Sequence, residues 1–185
     1  MNAAREARGS IHDDATAEKL GFRGGTVAGS VHLDLFPPVL LEAFGRRWFE
    51  EGAISINFRN ATTDREAVRA FVRRPPAGAT AALVEAWIER DDGMRVGEGT
   101  ASVGTPGEPS ALRALDLDRY EPGDLRILDG VAAGDAIPEA GHTLSGERQG
   151  WLLDHDLVTE PLPWYRGDSP WGGAVALPQM AVHFL

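Results

Sequence analysis

The stretch Ser30-Val31-His32-Leu33-Asp34-Leu35-Phe36-Pro37-Pro38-Val39-Leu40-Leu41-Glu42-Ala43-Phe44 decides the fold. Apolar side chains fall on nearly all sides of it, a pattern that belongs inside a structure rather than on its surface. Ser30 suits an N-cap and Gly45 a stop, so the spacing predicts a buried helix over 31–44. Pro37-Pro38 interrupts that run, and an interior proline costs roughly 3 kcal/mol, so a kink or break is predicted there.

Downstream the apolar period changes from that of a helix to that of a strand. Ile54, Ile56 and Phe58 alternate with polar neighbours, as do Val68, Ala70 and Val72, then Val84, Ala86 and Ile88. A last strand is predicted over 94–103, where Gly97 and Gly99 suggest a bulge. Asp91-Asp92-Gly93 supplies the hairpin turn before it. One buried helix followed by an antiparallel four-strand meander predicts an α+β unit whose sheet wraps the helix, the pattern of a hotdog fold.

Upstream lies the chemistry. Ile11-His12-Asp13-Asp14 leads into a segment of helix formers ending at Gly21, which predicts a two-turn helix with ordinary caps. A loop through Arg23-Gly24-Gly25 then reaches Val27-Ala28-Gly29-Ser30. An imidazole, which exchanges protons near neutral pH, is thus placed close in sequence to the start of the buried helix. Free amides at such a start favour developing negative charge.

These residues resemble the motif region of the MaoC-like, (R)-specific enoyl hydratases, which reads roughly Asp-x-Asn-Pro-x-His, then an acidic residue, Ala, Gly-Phe and Ala-His-Gly. His12, Ala17, Gly21-Phe22 and Gly29 agree with it. Ala7 stands where the family has its catalytic aspartate, Gly9 and Ser10 replace its Asn and Pro, and Ala28 replaces the histidine before the glycine. The resemblance implies a hotdog enzyme that reversibly adds water to a 2-enoyl thioester of CoA or an acyl carrier protein, with no cofactor and no metal. His12 would be the general base, with Gly29 and Ser30 as oxyanion donors. Gly24, Gly25 and Phe36 would join Ser30 in lining the substrate site.

Glu6 is one residue away from the missing acid and substitutes for it if the register slips. Asp14 is the other candidate carboxylate, but it is read first, like Asp13, as a capping residue of the short helix. Asp34 reads as a structural or interface polar group on the buried helix. Two rival functions stay open: a non-catalytic acyl-thioester-binding or structural hotdog half with a decayed site, and a hotdog thioesterase.

Composition narrows the classes. The chain has 185 residues, 43% of them hydrophobic, and a formal charge of −10, which argues against a nucleic-acid partner. There is no apolar run long enough for a membrane span and no leader-like N-terminus. The absence of cysteine removes disulfides and thiolate chemistry and makes a cytoplasmic setting the default. Lys19 is the only lysine, and arginine is the residue suited to hold a phosphate locally.

Residues 1–104 read as a hotdog domain and 105–114, rich in Gly, Pro and Ser, as a linker. Residues 115–185 read as the start of a second hotdog-like repeat, truncated at the C-terminus. The second assignment rests on an internal echo: the 14 residues from Arg23 to Phe36 match those from Trp171 to Phe184 at five positions. Since hotdog units cover their sheet edges by pairing, two units are expected to associate within a chain or as a homodimer.

Overall fold

The computed structural model describes residues 9–116, 118, 119, 132, 134–136 and 143–182. Glu6 and Ala7 lie outside the described residues. Helix α1 spans Asp14–Lys19, and its N-cap is Asp13, whose carboxylate accepts the Thr16 N–H at 3.0 Å.

The predicted long helix is two helices, α2 (Gly29–Leu33) and α3 (Phe36–Phe44), separated at Asp34-Leu35. Pro37 and Pro38 fall in the first turn of α3, where a missing N–H costs little. A continuous helix would have lost two backbone bonds there, so the break sits just ahead of the prolines. Ser30 is not the cap; α2 begins after Ala28, which makes no side-chain capping bond.

Helix α4 (Arg47–Glu51) leads into strands β1 (Gly52–Phe58), β2 (Val68–Val72), β3 (Ala82–Arg90) and β4 (Arg95–Val103). They form one antiparallel sheet in the order β1-β4-β3-β2. Only β2, β3 and β4 make the expected meander. After β1 the segment 59–67 carries the chain to the far edge, and β1 pairs with β4 instead. The result is an α+β unit with a four-stranded antiparallel sheet.

Helix α3 packs on this sheet. Phe36 and Leu40 are buried against Val84, Ala86, Ile88, Val96 and Ala101, the inward residues of β3 and β4. Each large apolar side chain so buried contributes about 1.5–3 kcal/mol. The irregularity predicted near Gly97 is present: Ile88 faces Gly97 while Glu89 faces Arg95, which leaves Val96 as the extra residue. Gly97 and Gly99 serve a further purpose, because a Cβ at Gly99 would lie 1.8 Å from the Ser55 carbonyl oxygen. Strand β1 can approach β4 only because no side chain stands there.

The segment predicted as a linker is tied to the sheet. The Ala111 N–H donates to Thr100 Oγ1 at 2.9 Å and the Leu112 N–H to Ser55 Oγ at 3.0 Å. Beyond it come α5 (Gly146–Asp154), a 3-10 turn (Pro163–Tyr165) and α6 (Pro178–Val182). They enclose a second core of Leu152, Leu153, Val158, Tyr165, Leu177 and Met180. Gln149 organises this core through its amide: Nε2 donates to the Tyr165 and Val175 carbonyls, and Oε1 accepts the Leu177 N–H at 3.0 Å. Helix α6 packs against α2, and it begins at Pro178, the counterpart of Ser30 in the internal echo.

Candidate functional site

Residues 25–27 and 62–63 run beside each other and hold two histidines in one wall. Thr26 and Thr63 form an isolated antiparallel bridge, and the Val27 N–H donates to the Thr62 carbonyl at 2.8 Å. On one side of this bridge, His12 Nδ1 lies 2.8 Å from the Thr26 carbonyl oxygen. A carbonyl only accepts, so this contact places the hydrogen on Nδ1 and the basic lone pair on Nε2. On the other side, His32 Nε2 lies 2.8 Å from Thr62 Oγ1.

The loop before α2 is shaped to hold His12. Asp14 Oδ1 accepts the Gly25 N–H at 2.9 Å, which pulls the glycine turn onto the start of α1. A Cβ at Gly25 would come within 2.3 Å of the His12 carbonyl oxygen, so only glycine lets the two backbone segments touch. The Thr26 N–H then donates to the Ile11 carbonyl at 2.8 Å. Asp14 therefore acts as a brace between loop and helix, while Asp13 is the cap.

A cavity of about 220 Å³ opens on this wall, lined by His12, Thr26, Gly29, His32 and Thr62, with Phe58 at its side. Among the described residues no carboxylate lines it. Phe22 and Phe58, both partly exposed apolar side chains, flank it. Gly29 is close-packed under Phe58: a Cβ there would meet the ring at 2.7 Å.

The remaining sequence-derived candidates are placed elsewhere. Gly24 lines an adjoining cavity of about 480 Å³ together with Arg23, Arg59 and Arg90. Arg23 and Arg90 reach Glu66, and Arg59 reaches Glu98, so each of these cations has a carboxylate partner. Gly25 is buried in the turn. Ser30, half-buried on α2, does not line the His12 cavity, and Phe36 sits in the α3–sheet core. Glu6 lies outside the described residues.

Two titratable groups on the α2 segment are buried. Burial pushes the His32 imidazole down to about 4, so it is neutral at physiological pH. Burial pushes the Asp34 carboxyl up to about 6, opposed by the hydrogen bonds from Gln179. The Gln179 N–H donates to Asp34 Oδ1 at 2.8 Å and its side-chain amide donates to Oδ2. Asp34 thus binds α6 rather than a ligand.

Sequence reasoning did not find Thr26 and Thr62. Each is one hydroxyl residue in a loop, and only the folded bridge brings them to the two imidazoles.

Among the described residues no helix is long and apolar enough to cross a membrane, and no cluster of three or more potential metal ligands occurs. The chain matches no protein family profile and no curated protein sequence. Among solved structures it is similar to an (R)-hydratase from A. caviae involved in PHA biosynthesis, at 21% identity over 56% of this chain and 81% of that chain, with a TM-score of 0.41. That likeness by itself assigns neither the fold nor the activity.

Proposed function

We propose that this chain is a hotdog protein of the MaoC-like type and that it hydrates 2-enoyl thioesters of CoA or an acyl carrier protein, and dehydrates the products. The observation that carries this reading is the meeting of His12 and Gly29 on one cavity of about 220 Å³, with His12 Nδ1 held by the Thr26 carbonyl.

In the proposed reaction, His12 Nε2 takes a proton from water as the water oxygen bonds to the thioester β-carbon. The electron pair of the C=C bond moves toward the thioester carbonyl, whose oxygen gains negative charge opposite the Gly29 N–H. The His12 imidazolium then returns its proton to the α-carbon, so atoms and charge balance. General base catalysis contributes about 10²–10⁴-fold, and one oxyanion donor about 10²–10³-fold. Residues 115–185 are read as belonging to a second hotdog-like unit, a reading supported by the internal echo and by α6 lying against α2.

A second reading is favoured by one observation: among the described residues no carboxylate lines the His12 cavity. On this reading the site binds acyl thioesters without turning them over. Assay of crotonyl-CoA hydration separates the two. Turnover that is lost in His12→Ala supports the enzyme, whereas binding of the thioester without turnover supports the binding module.

A further inference from the structure

The His12 cavity has a neighbour on the far side of the His32–Thr62 pair. This second cavity, of about 230 Å³, is lined by Val31, Leu35 and Val68, by the charged Asp34, Arg65 and Glu66, and by Leu157 and Thr159 from the later segment. The two cavities share only Val27, His32 and Thr62 as wall residues. His32 and Thr62 are 6% and 2% exposed, and their 2.8 Å hydrogen bond closes the gap between α2 and the loop after β1.

We propose that the His32–Thr62 pair is a partition that limits the acyl group to a short chain, by shutting the substrate cavity off from the second one. This rests on the acyl-thioester reading of the His12 site. The His12 cavity of about 220 Å³ shares Phe22, Thr26 and Arg59 with the arginine-lined cavity of about 480 Å³, so a thioester whose carrier arm lies in that larger cavity meets the His32–Thr62 wall with its acyl tail. A longer tail would have to part the two side chains. Doing so would leave a buried imidazole nitrogen and a buried hydroxyl without each other, and desolvated polar groups resist that separation. With the pair removed, the cavities of about 220 and 230 Å³ join, and a longer tail would run along the apolar part of the wall, Val31, Leu35, Val68 and Leu157, and not along Arg65 and Glu66.

The test is calorimetric titration of the protein with saturated acyl-CoAs of increasing chain length, which need no turnover. In the wild type, affinity should rise about fourfold per methylene while the first cavity fills and then level off. His32→Ala should move that plateau to chains about four methylenes longer, a gain on the order of 10²-fold for the longest of them. His32→Gln, which keeps the bulk and a bond to Thr62, should retain the wild-type plateau. Val31→Phe, added to His32→Ala, fills the second cavity and should restore it.

If circular dichroism shows His32→Ala unfolded, His32→Val removes the ring and its bond to Thr62 while leaving a smaller void, and should show the same shift. A folded opening variant with an unmoved plateau, or a wild type whose affinity climbs without levelling, overturns the partition alone. A wild type that binds no acyl-CoA at all overturns the acyl-thioester reading and the partition with it.

Discussion

The Asp34 carboxylate accepts both the backbone N–H and the side-chain amide of Gln179, a residue 145 positions later in the chain. Both residues are buried, and their contact joins α2, which carries the wall of the His12 cavity, to α6 of the second core. Two donors converging on one ionised acceptor form the stronger kind of hydrogen bond. The site helix is thereby held by the later part of the chain.

Asp34→Ala should therefore destabilise the protein by at least about 2 kcal/mol, because two buried donors lose their acceptor. Asp34→Asn keeps one oxygen acceptor and an amide that pairs with a turned Gln179, and should cost less. Urea unfolding of the two variants checks this; equal and negligible effects would show that α6 is not anchored through Asp34.

The pH dependence of stability should reveal two opposed titrations. Asp34 is raised from its ordinary 3.8 to about 6, so its contribution is full below about 4 and is lost as pH rises to about 6. His32 is lowered from 6.5 to about 4, so its contribution is present above about 6.5 and is lost as pH falls to about 4. Each effect is on the order of 3 kcal/mol, and in the wild type they nearly cancel. Relative to wild type, Asp34→Asn should gain an upward slope between pH 4 and 6, and His32→Gln a downward slope between pH 4 and 6.5. Unfolding curves of the three proteins across that range decide it, since their shared carboxylates drop out of the differences.

Gly99→Ala should weaken the sheet. The new methyl would collide with the Ser55 backbone at 1.8 Å, and backbone cannot step aside as a side-chain tip can. Separating β1 from β4 also strains the tether from Leu112 to Ser55. A loss of about 1–3 kcal/mol or more is expected by thermal unfolding; a neutral result would mean that β1 does not pair in this register.

Gly29→Val should act on binding more than on stability. Its side chain would strike the Phe58 ring, but Phe58 is 44% exposed and can swing outward. The valine would then occupy the cavity beside the amide proposed to face the thioester. Acyl-CoA binding should fall while circular dichroism stays that of a folded sheet. Unchanged binding would reduce Gly29 to a packing residue.

The strands were legible because their apolar period of two is local and unbroken, as in Val84, Ala86 and Ile88. Their order in the sheet was not, since the pairing of β1 with β4 joins residues such as Ser55 and Thr100 that no local pattern relates. Pro37-Pro38 announced a break in the helix, yet proline is at home in a first turn, so the break fell at Asp34-Leu35. Asp13 and Asp14 look alike in sequence; only the return of the chain at Gly25 separates the cap from the brace. The approach of Thr26 to His12 and of Thr62 to His32 depends on the same returning loops, and a linear reading does not contain it.

The account stands on His12 as the base of a hydration reaction, and the most direct measurement is the rate of crotonyl-CoA hydration by wild type and His12→Ala, with fold checked by circular dichroism. The wild type should hydrate the thioester, and His12→Ala should lose about 10²-fold or more in rate while remaining folded. Ala7→Asp, which restores the acid of the family motif, should raise the rate. A wild type without hydration activity, or a folded His12→Ala that keeps the wild-type rate, would contradict the central claim.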